Sequence, residues 1–129
     1  MDVGCGWGGS LVYLCEKYGV TGHGITLSGL AVPVAEKKAK EHGVDAGFEK
    51  LHWNNLAPRK PYDAIYSDEA IVHFPDLSAY YEKMYKYLKP TGYMVNKELH
   101  FTHSKYKHAG DRLSQHINKV YGYSGNYIT

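Results

Sequence analysis

The sequence predicts an α/β protein built on a doubly wound, mostly parallel sheet. Three observations carry this expectation. Short apolar runs alternate with amphipathic helical stretches along most of the 129 residues, which is the pattern of successive βαβ units. A glycine-rich stretch, DVGCGWGG at residues 2–9, lies between the first apolar run and the first helical one. The elements follow the order β-α-β-α-β-loop-β-α-β-α, which right-handed crossovers turn into a sheet with helices on both faces. The length suits one domain, so residues 1–129 are read as a single unit.

Residues 1–3 supply the end of a first strand. Residues 8–18 suit a helix, with Leu11, Val12, Leu14, Cys15 and Tyr18 on one side and Gly19 as its stop. Residues 20–27 read as a second strand. Ser28 is a candidate cap for a helix reaching His42, with Gly43 beyond it. Pro33 would remove a bonded donor if the helix began at Ser28, so the regular part is expected nearer Ala31. Residues 44–51 form a weaker third strand, and NNLAPRKP at 54–61 a loop. YDAIYS at 62–67 has the compactness of a buried strand. Asp76 can cap a helix running to Leu88, with Leu77, Tyr80, Tyr81, Met84 and Leu88 at helical spacing. KPTG at 89–92 reads as a turn, with glycine for a positive φ. Residues 93–99 are a fifth strand. Residues 111–121 form a last helix with Leu113, Ile117 and Val120 inward.

Composition narrows the function classes. A net charge of +2, with eight histidines counted neutral, is too mild for a nucleic-acid partner. The basic run at Lys37, Lys38 and Lys40 is a solvated helix face. The two cysteines, Cys5 and Cys15, are too few for a disulfide framework and are expected reduced, in a cytoplasmic protein. No leader-like segment and no apolar run of about 18 residues is present, so no integral membrane segment is expected. His100, His103 and His108 lack a cysteine or carboxylate to complete a ligand set, so no metal is expected there.

The chemistry concentrates in the glycine stretch. Gly4, Gly6 and Gly9 satisfy G-x-G-x-x-G, the spacing of a loop that lets a phosphate approach a helix amino end. A dinucleotide oxidoreductase also needs a carboxylate at the end of the second strand, for a ribose. The sequence there is GITLS, with Thr26 and Ser28 but no acid. Asp2 supports another pattern, D-x-G-x-G-x-G over Asp2, Gly4, Gly6 and Gly8. A carboxylate at that point repels a phosphate and welcomes a cation, which suits a cofactor that contains an amino acid. Trp7 and Tyr66 can offer aromatic surface to a cation.

DVGCGWGG, GITLS, YDAIYS and LKPTG occur in order at suitable spacings, and together they resemble class I S-adenosylmethionine-dependent methyltransferases. The likeness spans nearly the whole chain. Within that class the chain looks most like the cyclopropane-fatty-acyl-phospholipid synthase-like group, which shares the Trp7 and GITLS features. EAIVHFPDL at 69–77 is also similar to sterol and phosphoethanolamine methyltransferases. The resemblance implies a Rossmann-like methyltransferase fold and S-adenosylmethionine as cofactor. It places Asp2, Gly4, Gly6 and Gly8 around the methionine part. It places Thr26 and Leu27 near the ribose, His52 and Trp53 beside the adenine, and Ser67 and Asp68 beside the sulfonium. Glu69 and His73 would face a small-molecule or lipid acceptor as the titratable, catalytic pair. Their spacing of four puts them on one face if the segment is helical.

Three positions depart from the cyclopropane synthases: Val72 replaces a glutamate, Lys97 a histidine and Ala31 a glutamine. They favour plain methyl transfer over cyclopropanation. Class I folds carry seven strands and only five fit here, so the domain is expected to be truncated at both ends. Its open fifth strand suggests a homodimer or a piece of a longer chain. The other function carried forward is an inactive cofactor-binding or assembly module.

Overall fold

The computed structural model describes residues 1–57 and 60–98. The predicted helix at 111–121 and the histidine group at 100–108 lie outside the described residues. Among the described residues five strands form one sheet: β1 (Asp2–Val3), β2 (Gly22–Thr26), β3 (Ala46–Lys50), β4 (Tyr62–Asp68) and β5 (Leu88–Lys97). Their order is β3-β2-β1-β4-β5, and every pairing is parallel. Three α-helices connect them: α1 (Gly9–Tyr18), α2 (Ala31–Glu41) and α3 (Leu77–Tyr87). Strand order reverses between β1 and β4, and ligands bind at such reversals, beyond the carboxyl ends of the strands.

Side-chain alternation separates two cores. On one face, Val3, Ile25 and Ile65 pack with Tyr80 and Met84 of α3. On the other, Leu11, Val12 and Cys15 of α1 meet Ala35 and Ala39 of α2 over Phe48. β1 is short but held on both sides. Asp2 pairs with Gly24 and Tyr66, and the Tyr66 N–H donates to the Met1 carbonyl at 2.9 Å.

Most local expectations hold. Asp76 caps α3 by accepting from the Ala79 N–H at 2.9 Å. Gly19 closes α1 in the left-handed region. Ser28 does not cap α2; its carbonyl accepts from the Ala31 N–H, and the helix starts at Ala31. Pro33 therefore falls in the first turn, where no N–H has an intrahelical acceptor. Tyr18 was expected inward on α1 but is 62% exposed.

The KPTG segment is not a free-standing turn. Tyr62 pairs with Leu88 and Ala64 with Tyr93, so one residue of β4 opposes four of β5, 89–92, and the segment bulges within the strand. Gly92 is needed there for closeness and not for a positive φ. A Cβ on it would lie 3.0 Å from the Asp63 carbonyl oxygen. β5 is the outer strand of the described sheet, with Tyr93 and Val95 exposed. Among the described residues no helix is long and apolar enough to cross a membrane.

Candidate functional site

Two clefts open beyond the carboxyl ends of the central strands, and Gly4 borders both. The first, about 290 Å³, is lined by Asp2, Cys5, Gly6 and Ser10 from β1 and its loop, and by Asp68, Glu69 and Lys97 from β4 and β5. The second, about 90 Å³, is lined by Thr26, Leu27, His52, Trp53, His73 and Phe74, among others.

The loop between the clefts turns on Gly4, Gly6 and Gly8, at φ +88, +50 and +74. Gly9 has no positive φ, so the loop follows the alternating D-x-G-x-G-x-G pattern and not G-x-G-x-x-G. A Cβ on Gly4 would come within 2.4 Å of the Ala70 Cβ, whereas one on Gly6 would meet nothing within 4 Å. Gly6 thus leaves bare backbone beside open space. Gly8 lines neither cleft: its Cβ would strike Ala35 and Phe48. Gly8 lets α2 and β3 close on the loop.

Asp2 is the buried charge of the first cleft, only 2% exposed. Its Oδ2 accepts from the Tyr66 hydroxyl at 2.7 Å. Burial pushes its pKa up from 3.8 to about 6, and the Tyr66 bond acts against that rise. Cys5 also borders this cleft, but burial pushes its thiol up to about 12, so it is no nucleophile. Opposite, the Lys97 ammonium donates to Asp68 at 2.7 Å and to Glu69 at 3.4 Å. The Asp68 carboxylate holds Lys97 above its usual range. Glu69 is the one described non-glycine residue with positive φ (+55), and its N–H donates to the Lys97 carbonyl at 2.9 Å. β4 and β5 therefore pin both ends of the acidic pair.

The expected catalytic pair does not share a helical face. Glu69 is left-handed, and the following 3-10 turn, Ile71–His73, begins two residues later. Glu69 borders the first cleft and His73 the second. Ser67 reaches neither cleft; it is 1% exposed, on the face of Ile65. Trp53 lines the second cleft but is only 5% exposed, with its ring against Phe74 and Tyr80. The ring is thus mainly a core element that shows the cleft an edge. His52 caps the 3-10 turn Trp53–Asn55, its Nδ1 accepting from the Asn54 N–H. Thr26 is buried, and its Oγ1 accepts from the Ser28 N–H at 3.3 Å.

Tyr66 has a part the sequence did not disclose. It was read as an aromatic face for a cation, yet its hydroxyl is the donor to Asp2. Only the register Asp2↔Tyr66 reveals this. Trp7, the other aromatic candidate, borders neither cleft and is 57% exposed.

The family described as Mycolic acid cyclopropane synthetase matches residues 1–126. The chain belongs to this family of S-adenosylmethionine-dependent methyltransferases. It is 33% identical over 103 residues to a phosphoethanolamine N-methyltransferase of Plasmodium falciparum, covering 74% of this chain and 36% of the relative. It is 32% identical over 125 residues to a 24-methylenesterol C-methyltransferase 2 of Arabidopsis thaliana, covering 95% of this chain and 34% of the relative. The chain thus spans about a third of the length of these curated relatives. Among solved structures, YJHP from E. coli superimposes with a TM-score of 0.65 at 27% identity, covering 73% of this chain and 40% of that one. For this methyltransferase-family chain the relatives are phosphoethanolamine and sterol enzymes, not specifically cyclopropane synthases.

Proposed function

We propose that the chain forms the S-adenosylmethionine-binding part of a methyltransferase acting on a small-molecule amine. The observation that carries this reading is the bare glycine loop between two clefts, with a buried carboxylate on one side and a small, mostly apolar slot on the other. The residues fit the cofactor. Asp2 can accept an ammonium, and Gly4 and Gly6 let a ligand lie against the backbone. Thr26, Leu27, His52 and the Trp53 edge border the second cleft, where the adenosine part would lie. That cleft's lining holds no carboxylate, which disfavours a nicotinamide dinucleotide.

S-adenosylmethionine supplies a methyl group already activated on a sulfonium, so alignment is the main task of the protein. Asp68, at the end of β4, lines the first cleft. Glu69, held by the β5 backbone, is the acceptor-side group and can take a proton from an ammonium before transfer. His73 borders the second cleft and would close it from the acceptor side. Carboxylates outnumber ammonium groups in the first cleft, three (Asp2, Asp68, Glu69) to one (Lys97), which favours a cationic acceptor. A sterol carbon is the second reading, supported by the likeness to the sterol enzyme.

The test is calorimetric titration with S-adenosylhomocysteine, followed by transfer of labelled methyl groups to phosphoethanolamine or to a 24-methylenesterol. Binding together with amine methylation supports the reading. Binding with sterol methylation alone selects the second. Binding without transfer to either leaves a cofactor-binding module, and absence of binding refutes the assignment.

A further inference from the structure

The Asp2–Tyr66 contact is more than a strand-to-strand hydrogen bond. The parallel register sets the two residues side by side on β1 and β4. Tyr66 is half-buried, and its ring packs at the margin of the core that holds Cys5, Leu11 and Cys15. A phenylalanine would fill that space equally well. What the phenol adds is one O–H, and that O–H donates to Asp2 Oδ2 at 2.7 Å. With Oδ2 tied to Tyr66, the Asp2 carboxylate still lines the first cleft.

We propose that Tyr66 is a positioning residue for cofactor binding, whose hydroxyl orients the Asp2 carboxylate and keeps it ionised so that it can hold an ammonium in the first cleft. The inference rests on the reading of that cleft as the cofactor's amino-acid end. A carboxylate removed from water stays charged only where donors replace the lost hydration. Tyr66 is the donor that does so here.

Several groups face Asp2 from the surrounding elements. Asp68 on β4 disfavours its charge, and the Met1 amino group favours it. Cys5 in the loop and Tyr80 on α3 also sense it, as does Tyr66 itself, and each is driven to a higher pKa. Cys15 on α1 is raised as well, so these thiols and phenols stay neutral through the physiological range. Glu69 and Lys97 border the same cleft. The Met1 amino group is pushed below 8.0 by burial, so it is a second titrating group beside Asp2. An Asp2→Asn control therefore assigns the transition.

The experiment has two readouts. Carbon-detected NMR follows the Asp2 carboxyl through its titration in the free wild-type protein and in Tyr66→Phe. Calorimetry measures S-adenosylhomocysteine affinity from about pH 5 to pH 9 in the same proteins and in Asp2→Asn. Losing a hydrogen bond to a charged group moves the Asp2 midpoint upward by about one pH unit. Affinity of Tyr66→Phe is then about threefold weaker near pH 6.5 and converges on wild type above about pH 8.5. Asp2→Asn flattens this pH dependence. A Tyr66 that merely packs gives the same midpoint in both proteins, and that result overturns the proposal. So does a pH dependence that survives in Asp2→Asn. If no protein binds the ligand, the cofactor reading fails, and with it the ammonium-holding role assigned here to Tyr66. The NMR titration alone then says whether Tyr66 controls the ionisation of Asp2.

Discussion

Replacing Asp2 with asparagine is expected to make the protein more stable and less able to bind its cofactor. The side chain is 2% exposed, and burial raises its pKa from 3.8 to about 6. A carboxyl raised in the folded state contributes stability that is complete below the unfolded value, near 3.8, and is lost as pH rises through about 6. Above that pH the folded chain carries a charge that it would hold more cheaply unfolded. The difference corresponds to about 3 kcal/mol at pH well above 6. Asparagine has the same shape, is neutral at every pH and keeps an oxygen to accept from Tyr66. Asp2→Asn should therefore exceed wild type by about 2–3 kcal/mol near pH 8 and match it near pH 4. Urea denaturation at the two pH values reads this directly. A variant no more stable than wild type near pH 8, or one with the same gain at both pH values, would refute the reasoning. In calorimetry the same variant should lose most of its affinity for S-adenosylhomocysteine, because an amide cannot balance an ammonium.

Gly4→Ala should cost about 2 kcal/mol or more in urea denaturation, since φ is +88 and the Ala70 Cβ lies 2.4 Å from the new methyl. Gly6→Asn should cost under about 1 kcal/mol, because asparagine tolerates the left-handed region and nothing stands within 4 Å; its loss should appear instead as weakened ligand binding. Met84→Ala, at a fully buried position of α3, should lower stability by about 2–5 kcal/mol. Lys97→Gln removes the ammonium between Asp68 and Glu69 and should lower KM for an amine acceptor without a matching change in kcat; a raised KM would count against a cationic acceptor. β5 is the outer strand among the described residues, and an open edge drives self-association, so light scattering should show a dimer that Val95→Lys shifts towards monomer.

The order of elements was legible in the sequence because it rests on periodicity and on local signals. Asp76 as a cap, Gly19 as a stop and the delayed start of α2 at Ala31 all follow from chemistry within a few residues. Contacts between strands were not legible. Tyr66 reaches Asp2 across 64 positions, and no local pattern encodes that register. Gly8 was legible as a loop glycine from its spacing, but its second demand, closeness to α2 and β3, comes from residues far away in sequence. Glu69 and His73 were joined by helical spacing, and the left-handed backbone at Glu69 broke that link. Trp53 lies next to the cleft, yet the aromatic cluster with Phe74 and Tyr80 claims most of its surface.

The way the sheet is assembled has a further consequence. The first three strands and two helices form one lobe, β4, α3 and β5 form another, and the two meet along the two-residue strand β1 and through the core in which Ile25 and Trp53 pack with Ile65 and Tyr80. Both clefts lie across the upper end of that seam. A molecule touching Asp2 and Gly4 on one side and Asp68 and Glu69 on the other would clasp the lobes together. Ligand binding and the cooperative unfolding of the whole sheet should then be one linked equilibrium, with bound cofactor protecting the β1–β4 amides from hydrogen exchange more than any others.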